Sequence, residues 1–173
     1  MHKLMMVALC LCVAGTANSQ EANEYEPSEA FKRMEALVGT WQGTLIRSIG
    51  DTLDLKINYK VISNRSTIVE TVFEDDTQMV TLYYDEGDRL TMTHFCALRN
   101  QPVLNESQLT ESTISFDQSP SCTLSKDKDA YVNTYSLTID PNKPSVLKTR
   151  YTVVLPDEPM WVNEGVLERV KDL

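Results

Sequence analysis

Leu37-Val38-Gly39-Thr40-Trp41-Gln42-Gly43 is the stretch on which the reading of this chain turns. Before it lies a short helical pattern. After it the apolar spacing changes to every second residue, and no later helix is legible. A Gly-x-Trp at the first strand of an all-β chain predicts a small barrel closed at one end. Upstream, Ser28 stands where a helix needs an N-cap, and Phe31, Met34 and Leu37 or Val38 recur on one side with charged residues opposite. A helix this short does not hold in water by itself, so its apolar side must cover something, and the mouth of the barrel is the economical place.

Downstream, the clearest strand runs from Thr52 to Ile62, where Leu53, Leu55, Ile57, Tyr59 and Val61 alternate with Asp54, Lys56, Asn58 and Lys60. Further strands are predicted over Thr67 to Glu74, Met79 to Tyr84, Arg89 to Cys96, Ser112 to Asp117, Tyr131 to Ile139, Val146 to Leu155 and Trp161 to Val170. With the one opening at Thr40, that makes about nine. Ser63-Asn64-Arg65, Glu74-Asp75-Asp76-Thr77 and Asp85-Glu86-Gly87-Asp88 read as tight turns between antiparallel neighbours. Asn100-Gln101-Pro102 opens one long loop and Ser119 to Asp129 forms a second.

The first nineteen residues read as a separate unit. Lys3 supplies a positive start, Leu4 to Ala14 an apolar run, and Gly15-Thr16-Ala17-Asn18-Ser19 a small-residue exit, so residues 1–19 are expected to be a signal peptide cut after Ser19 or Ala17. The apolar run is about half of the roughly 20 residues that a membrane span needs. Leu9, before Cys10, is too large for lipoprotein processing. Residues 20–27 are polar and acidic and read as a flexible leader, and 28–173 as a single domain. The expected localisation is secreted or periplasmic.

The net charge of −9 becomes about −10 once Lys3 leaves with the signal. An acidic surface with no Lys/Arg cluster excludes nucleic acid and anionic membrane as partners. Cys96 and Cys122 remain in a chain sent to an oxidising compartment, which favours a disulfide, and closing that loop would contribute on the order of 3 to 4 kcal/mol. With no CxxC and one histidine after the leader, no metal or other cofactor is expected.

The Gly39-Thr40-Trp41 segment resembles the start of the calycin group, whose lipocalin-like barrels carry Gly-x-Trp on the first strand after a short helix. The chain is more closely similar to secreted bacterial lipocalin-like proteins. The matching residues are Leu37 to Trp41, Met79 to Tyr83, Asp85 to Asp88, Thr93-His94-Phe95-Cys96 and Asn100-Gln101-Pro102, within a likeness spanning Phe31 to Val170. It departs from that pattern at Phe95, where tyrosine is usual, and at Leu98-Arg99, where small residues are common. The resemblance implies an all-β, antiparallel lipocalin-like barrel with the short helix capping one end. It brings no established ligand.

On the strand ending at Cys96, alternation places Leu90, Met92, His94 and Cys96 on the inner face. Two readings of His94 stand open: a buried imidazole satisfied by a neighbouring tyrosine or carbonyl, or a ligand-contacting one, with haem ligation a minor variant. Tyr131, Asn133 and Tyr135 share a face with Leu137 and Ile139, and Tyr151 shares one with Leu147 and Val153. If these faces are interior, their polar groups converge on a hydrated or ligand-filled cavity, because an unpartnered buried polar group costs about 1 to 3 kcal/mol. The candidate ligand-binding set is therefore His94, Tyr131, Asn133, Tyr135, Tyr151 and Met92, with Gly39, Trp41, Cys96 and Cys122 structural. Trp41 is expected to plug the closed end with its N–H on backbone. Glu164 and Glu168 are expected to face solvent, while Trp161 is left undecided.

Three functions compete. The first is a secreted barrel, a monomer or weak dimer, holding a small apolar or amphipathic molecule. The second is a hydrolase or isomerase using His94 as general base, for which no catalytic motif is present. The third is an envelope interaction module acting through its long loops.

Overall fold

The computed structural model describes residues 25–171. One helix, α1 (Glu29–Glu35), precedes ten strands. These are β1 (Gly39–Arg47), β2 (Thr52–Ile62), β3 (Thr67–Glu74), β4 (Thr77–Glu86), β5 (Arg89–Phe95), β6 (Val103–Leu109), β7 (Thr113–Gln118), β8 (Tyr131–Ile139), β9 (Val146–Val154) and β10 (Trp161–Arg169). Each strand pairs antiparallel with its sequence neighbours, and β10 returns to β1, so the sheet closes into a barrel with no free edge. The all-β closed barrel of the sequence reading is what the chain forms.

The strand that the alternation missed is β6. Asn105, Glu106, Ser107 and Gln108 stand in a row, and the register with β7 shifts between Glu106 and Gln108. A bulge there breaks the period of two that would have marked the strand.

The helix forms as its residues dictate. The Ser28 hydroxyl accepts from the Phe31 N–H at 3.0 Å, and Ala30, Phe31 and Met34 are buried against one end of the barrel. Burying Phe31 and Met34 contributes about 1.5 to 3 kcal/mol each. The contact is pinned from outside as well. Asp85, at the end of β4, accepts from the Ser28 hydroxyl at 2.7 Å and from Tyr25 at 2.9 Å, and Arg65 in the β2–β3 turn pairs with Glu35 at 3.0 Å. In the described part of the leader, Tyr25 also packs edge-on against Phe31, with centroids 6.3 Å apart.

Trp41 completes this closed end. It is fully buried, its Nε1–H donates to the Leu37 carbonyl at 2.8 Å, and the Arg169 guanidinium lies 4.2 Å from its ring centroid. Arg169 in turn donates to the carbonyls of Val38 and Ala36 at 2.6 and 2.7 Å, which satisfies backbone groups left free where the helix ends. Gly39 is needed at the joint because its φ is +123°, a conformation that side chains resist. Gly43 is needed two pleat repeats later, because a Cβ there would lie 1.9 Å from the Val166 carbonyl oxygen across the closing β1–β10 seam.

The core fills the half of the barrel next to the helix. Tyr59, Ile68, Tyr83, Leu90 and Phe116 are buried there, with Tyr83 5.8 Å from Phe116 and 6.5 Å from Tyr59 between ring centroids. The other half is not filled. At that end lie the β1–β2, β3–β4 and β9–β10 turns and the two long loops.

Candidate functional site

A cavity of about 350 Å³ occupies the half of the barrel away from α1 and opens between those loops. Its wall is largely apolar, with Leu45, Leu55, Ile57, Val72, Met92 and Val132 among its residues. This volume is at the small end of the range of ligand pockets.

Its floor is polar, and the sheet register explains how. Tyr59, Glu70, Thr81 and His94 are successive partners across β2, β3, β4 and β5, so their side chains form one row on the inner surface. The Thr81 hydroxyl donates to Glu70 Oε1 at 2.9 Å and lies 2.9 Å from His94 Nδ1. Tyr83 donates to Glu70 Oε2 at 2.9 Å, and Tyr135, reaching across from β8, does so at 3.5 Å. The Tyr59 hydroxyl is buried in the same group but lacks a hydrogen-bond partner.

Thr81 has one hydrogen to give. With it committed to the Glu70 carboxylate, the imidazole must donate from Nδ1 to the Thr81 oxygen, which leaves Nε2 as an acceptor. His94 is 9% exposed, and burial lowers its pKa to about 4, so the ring is neutral near pH 7. Glu70 is 3% exposed. Burial pushes its carboxyl above the usual range, and the surrounding hydroxyls pull it part of the way back.

A second polar group stands nearer the opening. Tyr151 donates to Glu74 Oε1 at 2.7 Å. Burial raises the Glu74 carboxyl, opposed by that hydrogen bond and by the charge of Arg47. Arg47, the basic side chain on the cavity wall, is itself paired with Asp51. Asn163 lines the wall from β10, buried, with Oδ1 left without a partner.

Of the residues expected to meet a ligand, His94, Met92, Tyr135 and Tyr151 line this cavity, and Tyr131 and Asn133 do not. The reason is a bulge: the β8–β9 register shifts between Val132 and Thr134. One extra residue reverses the alternation, so Val132, not Tyr131 or Asn133, shares the inner surface with Tyr135. Tyr131 is buried elsewhere, donating to Gln118 Oε1 at 3.2 Å.

The disulfide expected between Cys96 and Cys122 is not formed; both thiols are free. Cys96 lies on the cavity wall, where burial raises its thiol. Cys122 sits in the β7–β8 loop. Burial would raise it too, but hydrogen bonds from Gln118 and from the backbone of Val103 and Leu124 bring it below its usual value. Glu164 and Glu168 face solvent and Leu167 faces in, while Trp161 takes a place at the cavity opening.

Glu70, Glu74 and Thr81 were not singled out from the sequence. On β3, Ile68, Glu70, Val72 and Glu74 alternate with Thr67, Val69, Thr71 and Phe73, and both faces carry large apolar residues. Alternation cannot choose between two such faces. The available signal was the phenols: Tyr59, Tyr83, Tyr135 and Tyr151 all fall on inward-facing positions, and buried hydroxyls need an acceptor.

No family model matches the chain, and no curated protein matches it. Among solved structures it is similar to Rv2717c from M. tuberculosis, with 11% identity over 84% of this chain and 100% of that one at a TM-score of 0.53. It is also similar to a redesigned β-barrel, with 18% identity over 80% of this chain and 95% of that one at a TM-score of 0.40. The structure of EF1p2_mFAP2b bound to DFHBI shows 16% identity over 81% and 98% at a TM-score of 0.44. At these identities the likeness to Rv2717c supports the barrel fold and nothing finer.

Proposed function

We propose that this chain is a secreted barrel that binds a small apolar or amphipathic molecule in its lumen. One observation carries the reading: an open-ended, apolar-walled cavity of about 350 Å³ ends on a row of fixed polar groups, Glu70, Thr81 and His94. Apolar walls with a few positioned polar groups are what hold and orient small ligands. The closed end, sealed by α1 and Trp41, makes the other end the way in. Among the described residues, no helix is long and apolar enough to cross a membrane. The signal-peptide pattern of residues 1–19, which lie outside the described residues, and the resemblance to secreted bacterial lipocalin-like proteins support export.

Binding suits the floor better than base catalysis with His94. An imidazole with its pKa near 4 is a weak proton acceptor at neutral pH. Native mass spectrometry of mature protein from its own host tests the proposal. A retained mass that is lost on denaturation is the expected result, and protein found only at its bare mass contradicts it.

A further inference from the structure

The polar groups of the lumen are unbalanced. Two carboxylates, Glu70 and Glu74, line it, and among the described residues neither lies within ion-pair distance of a cation. Arg47, on the same wall, is committed to Asp51. Most donors around the two carboxylates are spoken for: Tyr83, Tyr135 and Thr81 give their hydrogens to Glu70, and Tyr151 gives its hydrogen to Glu74, while the buried Tyr59 hydroxyl has no partner.

Unpartnered acceptors also remain on the wall. His94 Nε2 is one, because the Thr81 hydrogen is committed to the Glu70 carboxylate and Nδ1 is therefore the donor to Thr81. Asn163 Oδ1, buried and without a partner, is another. Glu74 Oε2, which has no hydrogen bond, is a third. A ligand that completes this set brings hydrogen-bond donors and positive charge on an apolar body.

Accepting the lumen as a binding site, we infer that it selects an amphipathic amine, whose ammonium group sits at the floor between Glu70 and His94 and whose apolar part lies along Leu55, Ile57 and Met92. The ammonium supplies the counter-charge that Glu70 lacks, and its N–H groups meet the unused acceptors. The apolar part displaces water from the wall. The chain's net charge of −9 adds a field that draws cations toward the opening.

Isothermal titration of the mature chain with octylamine, octanol and octanoate near pH 7 tests this. The expected result is octylamine binding at least tenfold tighter than either of the others. Glu70→Gln, which keeps the shape and an acceptor oxygen, is expected to weaken octylamine at least tenfold and octanol less than twofold. Octanoate or octanol binding as tightly as octylamine overturns the amine, as does an unchanged octylamine affinity in a folded Glu70→Gln variant, while the lumen remains a binding site. The comparison of the three ligands on the unaltered chain holds even if the variant does not fold. Failure of all three to bind overturns the lumen reading itself.

Discussion

Thr81 stands directly opposite Glu70 across β3 and β4, and its hydroxyl donates to Glu70 Oε1 at 2.9 Å. Because Thr81 is also the direct partner of His94 on β5, one hydroxyl joins a buried carboxylate to a buried imidazole. Thr81→Val keeps the shape and removes the link. It leaves a buried acceptor on one side and the Nδ1–H on the other without their partner, at about 1 to 3 kcal/mol for each group. A loss of roughly 2 to 6 kcal/mol in urea unfolding is expected on that basis, with a shift in the ring-nitrogen resonances of His94.

Acid should expose His94. Its pKa of about 4 in the fold lies below the 6.5 of a free imidazole, so between those values the unfolded chain binds the proton that the folded one refuses. Stability from this group is complete above pH 6.5 and is lost as pH falls toward 4, by about 3 kcal/mol in all. His94→Gln should flatten the stability profile across that window when the two proteins are unfolded side by side.

Glu70 has the opposite sign. Its carboxyl is raised, so its contribution is present below the ordinary carboxylate range and is lost as pH rises through the folded value. Glu70→Gln should therefore gain stability relative to the parent as pH increases from 4.5 to 8. A parallel pair of profiles would contradict a buried, raised carboxyl.

At the closed end, Arg169 ties the Trp41 ring to the Ala36 and Val38 carbonyls just past α1. Arg169→Ala should cost about 2 kcal/mol, since it removes a cation over an aromatic face and two charge-assisted hydrogen bonds. Lysine should recover less than half, because a single ammonium cannot span both carbonyls and lie flat on the indole. Thermal unfolding of the two variants measures the difference.

Gly43→Ala should cost about 2 to 3 kcal/mol or prevent folding, because its methyl group would meet backbone and no side chain that could swing away. The same substitution at Gly165, where a Cβ would meet the Thr149 hydroxyl and a Leu55 methyl, should cost less, as both can rotate.

The barrel was legible in the sequence because strands such as Thr52 to Ile62 have one dry face and one wet face, and because Trp41 marks the place where helix gives way to sheet. The site was half legible. Met92 and His94 share an inner face with Leu90 on a strand whose other face begins Arg89, Thr91, Thr93, whereas Glu70 lies on one with large apolar residues on both faces. Tyr131 and Asn133 were misplaced by a single bulge, and β6 was hidden by another. An extra residue in a strand costs the chain little locally but reverses every side chain beyond it, and composition carries no mark of where that happens.

Methyl NMR of the methionines decides whether the lumen is where a ligand goes. Met34, Met79, Met92 and Met160 follow the leader; Met34 is in the plug, Met79 and Met92 line the cavity, and Met160 is exposed in the β9–β10 turn. Titration with octylamine or octanol should shift Met79 and Met92 saturably and leave Met34 unchanged. Shifts confined to Met160, or none at any methionine, would contradict a ligand-binding lumen.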